Sequence, residues 1–416
     1  MRVSLDFKLS EWNLNLKLPS TIPILAAGSV EAVQSHIAET GAQGGALEVQ
    51  GGGTKRPYGR RVQATQVLEV SGLQGVVDYQ PNELILVVRP GTPLSQVITM
   101  LEGSGQMLAF EPPFWGEGAT LGGVIACNLS GPRRMRAGAA RDHLLGFQVV
   151  TGGGDVVRGG GRVVKNVTGY DLSKLMCGSF GTLAVFTELC VKVLPRPETE
   201  RTVIATGLDA RSATDLMIHA ARSSHEVSGL VYLPAGVRLP EPVVGLAGMG
   251  QGLAALRVEG PEPSVASRAE RLVDGSKVQT LFLEQKDSRK FWEDIRERRP
   301  LPVHSGNRLW RLSTPPSAAA TVAHSLNGLE SSLWYMDWGG ALTWALLPRA
   351  TPATVVHGLV RKAGGHAHLV LDPQGDGQEP QAFSPLDPGL QRLHMNLKNA
   401  FDPKRVLNPG RMFPEL

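Results

Sequence analysis

The spacing of apolar residues predicts short helices and strands in alternation over the first part of the chain. The segment SVEAVQSHIAETG (29–41) has its apolar side chains at helical spacing and ends at Gly41, which we expect to act as the C-cap. PLSQVITMLEGSG predicts a second helix, with Pro93 near its first turn. Strands are predicted in ALEVQ, VLEV, LILVVRP and TLAVFTELCVKVLP, a pair of strands around a glycine turn in HLLGFQVVTGGGDVV, and a helical turn in YDLSKLMCGS.

A second region of mixed elements begins near residue 200. Helices are predicted in TDLMIHAARSSH, PSVASRAERLVDG, RKFWEDIRERRP and TPATVVHGLVRKAGG, strands in VSGLVYLP, ALRVEG, NRLWRLSTPP and AHLVLDP, and a hairpin in SSLWYMDWGGALTWALLP. DPQGDGQEPQAFSPLDPG (372–389) is polar and rich in Pro and Gly, which predicts a linker or an exposed loop. A short helix, LQRLHMNLKNAFD, follows. We therefore expect an α+β protein with domains at 1–199 and 200–371, the linker, and a C-terminal segment at 390–416.

Composition and charge restrict the class of protein. With 416 residues, 42% apolar, 19% charged and a net charge of +4, the chain has the composition of a soluble globular protein. The pI near 9.0 tolerates an acidic ligand, but no basic stripe interleaved with aromatic residues indicates nucleic acid. Cys127, Cys177 and Cys190 form no C-x-x-C pair, which argues against a zinc site, an iron–sulfur cluster and a disulfide framework. The N-terminus has no apolar signal-peptide region and no run reaches the ~20 apolar residues of a membrane span, so we expect a cytoplasmic protein.

Glycine marks the candidate binding site. About half of the 49 glycines lie between Gly51 and Gly181, clustered where apolar runs end, as in VQGGGTK, GEGATLGG and GSFGTLAVF. Successive backbone N–H groups in GGGTK can form a concave nest for a diphosphate, although a plain turn explains the pattern equally well. A nucleotide-binding P-loop or a Rossmann glycine motif would need a spacing that the chain lacks. We expect N–H groups of this bend and of ATLGG to converge on one diphosphate, and assign no ligand to VTGGGDVVRGGG.

Four motifs in a fixed order carry a family resemblance. GGGTK, a proline pair followed by ATLGG, ARDHLLGFQVVTGGG, and KNVTGYDLSKLMCGSFGTLAVFTE together resemble the flavin-binding domain of the vanillyl-alcohol oxidase and p-cresol methylhydroxylase superfamily. Within it, the chain is similar to FAD-binding subunits of bacterial glycolate oxidase, also called glycolate dehydrogenase, and the similarity resumes in WYMDWGGALTW and KNAFDPKRVLNPGRM. The resemblance implies a two-subdomain FAD-binding domain of the p-cresol methylhydroxylase type, an α+β cap domain, and a C-terminal segment that returns to the first domain.

The resemblance also implies which residues contact FAD. The family commonly attaches its flavin covalently through a His in the first glycine loop, where this chain has Thr54, so we expect dissociable FAD. The implied contacts are Gly51, Gly52, Gly53, Thr54 and Lys55 at the diphosphate; Pro112, Ala119, Thr120, Gly122 and Gly123 along the isoalloxazine and phosphate; Asn128 and Asp142 near the cofactor; and Val185 and Phe186 at the adenine. Turn or core structure is the alternative for each, above all for Asp142 and Phe186.

The implied chemistry is oxidation of a 2-hydroxy acid, glycolate or D-lactate, by hydride transfer to flavin. Such a substrate needs a cation for its carboxylate and a base for its hydroxyl proton. Arg308, Arg311, Arg411, His366 and His368 are candidates, and we select Arg311, His366 and Arg411, with no metal. A surface ion pair explains Arg311 about as well, and two histidines on one face of a strand are more often structural.

Two functional hypotheses stay open. Related 2-hydroxy acid dehydrogenases carry a histidine string resembling G-H-x-G-x-G-N-x-H, which this chain lacks and which resembles what the companion FAD subunit carries. The chain is therefore either an oxidoreductase subunit with its own substrate site, or an FAD-binding structural or electron-relay subunit. Both hypotheses expect a companion FAD-containing catalytic subunit and an iron–sulfur subunit, with membrane contact only through these partners. Trp334, Trp338 and Trp344 are predicted core or interface residues, with an aromatic wall beside the flavin as the alternative.

Overall fold

The computed structural model describes residues 22–162, 169–240, 250–274, 278–374 and 381–416. The expectation about a signal peptide falls on residues 1–21 and therefore lies outside the described residues. The start of the fourth motif and residues 375–380 of the expected linker lie outside them as well. None of the helices in the described ranges combines the length and the hydropathy needed to cross a bilayer.

The N-terminal module, which we define as the described residues between 22 and 195, contains three sheets. A parallel sheet has the order β1-β3-β2, an antiparallel sheet the order β4-β5-β9-β7-β8, and β6 pairs with β10. Its elements are β1 (Ile24–Ala26), α1 (Val30–Ala42), β2 (Leu47–Gln50), β3 (Gln66–Glu69), β4 (Val76–Gln80), β5 (Ile85–Val88), α2 (Leu94–Gly103), β6 (Gln106–Met107), α3 (Leu121–Ala126), α4 (Arg134–Ala137), α5 (Ala140–His143), β7 (Leu144–Thr151), β8 (Val156–Gly160), α6 (Leu172–Met176), β9 (Ala184–Lys192) and β10 (Leu194–Pro195).

The cap, which we define as the described residues between 199 and 371, is built on one antiparallel sheet of eight strands. Its order is β14-β11-β13-β12-β16-β17-β15-β18, and helices pack against it. The elements are β11 (Thr199–Thr206), α7 (Ala210–Arg222), β12 (Gly229–Leu233), β13 (Leu253–Gly260), α8 (Glu262–Arg271), β14 (Thr280–Glu284), α9 (Gln285–Arg296), β15 (Asn307–Ser313), α10 (Ala319–Asn327), β16 (Leu333–Asp337), β17 (Leu342–Pro348), α11 (Ala353–Lys362) and β18 (His366–Leu371). The predicted α+β class is confirmed, whereas β11, β14 and α10 were not predicted. The sheets change between β10 and β11, and the division into functional domains stays a prediction.

The end of helix α1 differs from the expectation. The helix runs past Gly41 to Ala42, its C-cap is Gln43, and the left-handed turn falls at Gly44, with φ 67°. Gly41 has a packing role instead, since a Cβ there would lie 3.2 Å from Cγ2 of Val406. The expectation that Gly41 caps the helix was therefore wrong, because two glycines compete for the cap and the later one takes the left-handed conformation.

The expected linker is packed where the structure describes its second half. The Leu369 N–H of β18 donates to the Ala382 carbonyl at 2.7 Å, and the Phe383 side chain is only 4% exposed. The expectation of a linker or exposed loop over 372–389 was therefore wrong at residues 381–384. Burial of one aromatic ring and pairing with a strand edge outweigh the polar composition of the surrounding segment.

The C-terminal segment is anchored by a buried lysine. Helix α12 (Pro388–Phe401) buries only Lys398 among its residues. Its Nζ donates to the carbonyls of Thr182 (2.7 Å) and Leu407 (2.8 Å) and to the carboxylate of Asp402 (2.7 Å). These bonds hold the last residues of the chain against the N-terminal module.

The Asn408 side chain bonds the C-terminal segment to the strand that precedes the glycine loop. Its Oδ1 accepts from the Val49 N–H at 2.8 Å, and its Nδ2 donates to the Phe180 carbonyl at 2.8 Å. Because Val49 belongs to β2, the strand that leads into the glycine loop is fixed by a residue more than 350 positions later in the chain.

Candidate functional site

The glycine loop, residues 51–55, directly follows β2 and exposes its backbone donors. None of the N–H groups from Gly51 to Lys55 donates to another group in the part of the chain that the structure describes. Gly53 adopts φ 73°, a conformation that glycine takes without strain. The loop thus presents successive unengaged N–H groups on one wall of a cavity, which we call the loop cavity.

Two side-chain-free positions bring separate segments together at this cavity. A Cβ on Gly52 would lie 1.6 Å from the Gly118 carbonyl oxygen, and one on Gly122 would lie 2.5 Å from Cβ of Pro90. Both glycines line the loop cavity. The Gly122 N–H, however, donates to the Pro90 carbonyl at 2.8 Å. Gly123 donates to the Thr120 hydroxyl. The expectation that N–H groups of both bends converge was therefore wrong at Gly122 and Gly123, because the Pro90 carbonyl and the Thr120 hydroxyl already accept from these two groups.

The structure separates the implied cofactor residues into three groups. The loop cavity brings together Gly51, Gly52, Gly53, Thr54, Lys55, Thr120, Gly122, Gly123, Val185 and Phe186, and Arg411, a catalytic candidate, lines it as well. Asn128 lines a neighbouring cleft. Pro112, Ala119 and Asp142 line neither space: Pro112 faces a separate cavity, the Ala119 carbonyl accepts from Leu94, and the Asp142 carboxylate accepts from the Ala139 N–H.

Lys55 lies in the floor of the loop cavity with its ammonium already bonded. The Nζ donates to the Thr54 hydroxyl at 2.7 Å and to the carbonyl of Phe114. Burial lowers the pKa of Lys55 to about 7. Its ammonium therefore ties the glycine loop to the segment that carries Phe114 and Trp115.

Arg411 supports the glycine loop and does not reach the cleft. Its guanidinium donates to the Lys55 carbonyl at 2.7 Å and to the Arg60 carbonyl at 3.4 Å. It lines the loop cavity, whereas Arg311 and His366, the other residues selected as catalytic, line the cleft. The three selected residues are therefore not brought together, and Arg411 is a positioning residue for the loop.

The cleft lies between the N-terminal module and the cap and has a volume of about 580 Å³. This volume is within the range of small-molecule sites, about 300–1,000 Å³. Cys127 and Phe180 line both the cleft and the loop cavity, so the two spaces meet at these residues. The loop cavity and the cleft are therefore adjacent spaces that share these two side chains.

Strand register places the charged residues of the cap in the cleft. Arg311 of β15 pairs with Trp344 of β17 on one side and His368 of β18 on the other. His366 and His368 share the cleft face of β18, with ring centroids 5.2 Å apart. Arg308, in contrast, forms an ion pair with Asp372 at 2.9 Å.

The two histidines are held neutral. Burial, together with the nearby Arg311, lowers the pKa of His366 and lowers that of His368 well below its ordinary value. His368 Nδ1 is hydrogen-bonded to the Tyr58 hydroxyl at 3.0 Å. Burial raises the pKa of Tyr58 to about 12, so this hydroxyl keeps its proton at neutral pH.

Known proteins match this arrangement. Residues 23–160 match the FAD binding domain family. The chain is 39% identical over 371 residues to the glycolate oxidase subunit GlcE of Escherichia coli, a match that covers 89% of this chain and 93% of that protein. The chain belongs to the GlcE family. The family resemblance seen in the sequence is thereby confirmed, as is FAD as the cofactor.

More distant relatives and solved structures also match most of the chain. The GlcE-family chain is 26% identical over 379 residues to the glycolate oxidase subunit GlcD of Bacillus subtilis, covering 83% of this chain and 79% of that protein. The structure of 4-ethylphenol oxidase from Gulosibacter chungangensis aligns with a TM-score of 0.71 at 16% identity, over 94% of this chain and 89% of that one. That of p-cresol methylhydroxylase aligns with a TM-score of 0.69, also at 16% identity, over 93% and 88%. These structures show the fold alone, and it is the predicted p-cresol methylhydroxylase type.

Two further observations support the binding of FAD in the loop cavity of this GlcE-family chain. Gln50, which lines the cavity, has a buried Oε1 without a hydrogen-bond partner among the described residues, and this acceptor suits a ligand hydroxyl such as that of a ribose. The cavity wall beyond the loop is formed by the backbone and apolar side chains of Val185 and Phe186, which suit an adenine ring. Unengaged donors at one end and an apolar wall at the other match a diphosphate joined to a flat ring.

Several residues of the site were missed by reasoning from the sequence. Tyr58, Arg134 and Asp337 line the cleft, while Gln50 and Asn408 contribute to the loop cavity. The one signal available was Asn408, in the C-terminal NPGR that contributed to the family resemblance. Of the three tryptophans, Trp334 packs in the cap, while Trp338 and Trp344 line the cleft. Among the described residues, no group of three or more His, Cys, Asp or Glu side chains can hold a metal ion.

Proposed function

We propose that this chain is the FAD-binding subunit of a glycolate oxidase complex and takes part in oxidising glycolate, or D-lactate, to the 2-oxo acid. The supporting observation is that the loop cavity shares Cys127 and Phe180 with an adjacent cleft that Arg311 and His366 line. One space suits the cofactor and the adjoining one a small acid. The first domain, 1–199, would hold FAD, and the second, 200–371, would cover the substrate.

The residues that would hold FAD are those of the loop cavity. The N–H groups of residues 51–55 would donate to the diphosphate, and Val185 with Phe186 would contact the adenine. Thr54 stands where a covalent bond to histidine would form, so FAD would be dissociable. When bound, FAD accepts a hydride from the carbon that bears the substrate hydroxyl. Arg411 would keep the loop in place through its bond to the Lys55 carbonyl.

Arg311 would anchor the substrate carboxylate. Its guanidinium lines the cleft and donates to the Ser313 hydroxyl at 3.1 Å. It forms no ion pair with a carboxylate in the ranges that the structure describes. An arginine that offers donors to an open cleft is suited to bind a planar carboxylate through two parallel bonds.

His366 would accept the hydroxyl proton. Its imidazole lies at the cleft surface, and burial together with Arg311 lowers its pKa, so the neutral ring is the dominant form at pH 7. A neutral imidazole can take a proton from a hydroxyl. His368, bonded to Tyr58, would fix the neighbouring ring and is the less accessible of the two.

The electrons would leave through partner subunits. Cys127, Cys177 and Cys190 are single buried thiols. We therefore propose a companion FAD-containing catalytic subunit and an iron–sulfur subunit. The complex would be cytoplasmic and would contact a membrane only through these partners.

The test is anaerobic addition of glycolate to the purified chain with its flavin spectrum recorded before and after. Loss of the oxidised-flavin absorption band on adding glycolate is the expected result, and His366→Asn should slow it by about 10²–10⁴-fold, the usual contribution of a general base. A bound flavin that glycolate leaves oxidised would favour a structural or electron-relay role. A folded chain that takes up no FAD would contradict both roles.

A further inference from the structure

Trp338 is held rigidly at the boundary between the cap and the N-terminal module. Its indole Nε1 donates to the Gly131 carbonyl at 2.9 Å, and its backbone N–H donates to the Asp337 carboxylate at 2.7 Å. The residue adopts φ 53°, which is strained for a bulky side chain. Contacts from both sides of the boundary thus impose the position of this ring.

Two arginines from opposite sides of the cleft meet at this ring. The Cζ of Arg134, on α4 of the N-terminal module, lies 4.2 Å from the centroid of Trp338, and that of Arg311, on β15 of the cap, lies 5.1 Å from it. Burial and the proximity of Arg311 lower the pKa of Arg134. The positive charges of the two arginines repel each other, and an anion bound between them would offset this repulsion.

The other charged groups that line the cleft do not compensate this pair. Arg141 lies 4.0 Å from the Asp142 carboxylate, and Arg296 forms an ion pair with Glu297 at 2.9 Å. Asp337 is the carboxylate on the cleft wall, and burial raises its pKa to about 7, so it is only partly ionised at neutral pH.

Neither Arg134 nor Arg311 forms an ion pair within the described residues. The wall around Trp338 therefore carries an excess of positive charge. This excess is directed into a space large enough for a small acid.

The neighbours of Arg134 in the sequence are used differently. In the segment PRRMR, Arg133 forms an ion pair with Glu259 at 2.6 Å, and Arg136 pairs with the exposed Glu226. Arg134 alone of the three lines the cleft. Arg133, which precedes α4, and Arg136 within it therefore form ion pairs, whereas Arg134 lines the cleft.

We propose that Arg134 and Arg311 together bind the carboxylate of the substrate, with Trp338 as the platform that holds both guanidinium groups. Arg134 is then a specificity-determining residue, because it requires the carboxylate to sit at the ring of Trp338, in the cleft that His366 also lines. The carboxylate joins the N-terminal module to the cap, since the two arginines belong to different sides. This inference rests on the proposed function, and it narrows the substrate class to compact acids whose carboxylate two guanidinium groups can share.

The test is isothermal titration of the full-length, FAD-loaded chain with oxalate, a two-carbon acid that has no hydrogen to transfer. Arg134→Gln and Arg311→Gln should each weaken oxalate binding by about 10–100-fold, the range for hydrogen bonds to charged groups. Arg136→Gln, from the same helix, is the matched control and should leave the affinity unchanged. Flavin content and the urea midpoint should stay at their wild-type values in all three variants.

Three outcomes separate this inference from the proposed function. Wild-type affinity in Arg134→Gln, with weak binding in Arg311→Gln, would overturn the role of Arg134 and leave the proposed function standing. Failure of the wild-type, flavin-loaded chain to bind oxalate would contradict both. Should Arg134→Gln unfold, Arg134→Lys keeps the charge but loses the planar fork, so it is expected to bind oxalate several-fold more weakly, and equal affinity would contradict the proposal.

Discussion

The Tyr58 hydroxyl lies 3.0 Å from Nδ1 of His368, and this bond joins the glycine-loop region directly to the last strand of the cap. Tyr58 also stacks on Phe383, with centroids 6.3 Å apart, and lies edge-on to Phe180 at 4.9 Å. The glycine-loop region, the cleft and the C-terminal segment therefore share one packed cluster. A substitution at Tyr58 should therefore affect the packing of all three regions.

Tyr58→Phe should destabilise the chain by about 1–3 kcal/mol, because it leaves the buried Nδ1 of His368 without its partner. The change keeps the ring contacts, so the effect reports the hydrogen bond. Urea unfolding measures it. Tyr170→Phe, at a side chain that is 95% exposed, is the control and should be neutral; equal midpoints for the two variants would show that the bond does not stabilise the fold.

Gly52→Ala should weaken FAD binding by at least about 10-fold, with a stability loss of about 1–3 kcal/mol from overpacking. The new Cβ would lie 1.6 Å from the Gly118 carbonyl oxygen, so the loop must move. Gly28→Ala is the control, since no heavy atom lies within 4 Å of a Cβ at that position. Fluorescence titration with FAD measures both variants, and unchanged affinity in Gly52→Ala would remove the loop from the cofactor site.

Lys398→Met should destabilise the chain by about 3–5 kcal/mol, because it leaves the Asp402 carboxylate buried without its cation. The variant should also lose flavin, since Lys398 bonds the Leu407 carbonyl next to Asn408, which fixes β2. Denaturant unfolding and flavin content check the two effects. The exposed Lys404→Met should change neither, and a stable Lys398→Met chain with full flavin would refute this anchoring.

Asp337→Asn should alter how stability depends on pH. Burial raises the pKa of Asp337 from 3.8 to about 7, so the folded chain binds a proton that the unfolded chain releases, and stability falls as pH rises from about 4 to about 7. The variant has no carboxyl group at this position and so lacks this loss. The difference in free energy of unfolding between the variant and wild type should therefore shift by up to about 4 kcal/mol in favour of the variant between pH 4 and pH 8, at about 1.4 kcal/mol per unit of pKa shift. Urea midpoints at both pH values measure it. Asp215→Asn, on the exposed side of α7, is the control; parallel pH dependence in wild type and Asp337→Asn would contradict the shift.

Local features of the site could be predicted from the sequence because they depend on local backbone chemistry. The glycine loop and the shared face of His366 and His368 follow from glycine conformation and from the two-residue period of a strand. Phe383 was missed because its burial depends on β18 and Tyr58, which lie far from it in the sequence.

The directions of the charged side chains at the site are even harder to predict from the sequence. Arg411 was selected as catalytic, yet it donates to the carbonyls of the glycine loop. Arg134 was overlooked although it faces the cleft. Nothing in PRRMR distinguishes one arginine from the next, because their partners are carboxylates and rings contributed by the cap. Residue type predicts what a guanidinium can bind, whereas its direction depends on how the two halves of the chain pack.

The most direct test of the account is a count of FAD per chain, by titrating FAD into the flavin-free, folded protein and then denaturing it. We predict one FAD per chain, bound in the loop cavity and released completely into solution on denaturation. A folded chain that takes up no FAD would contradict the central claim.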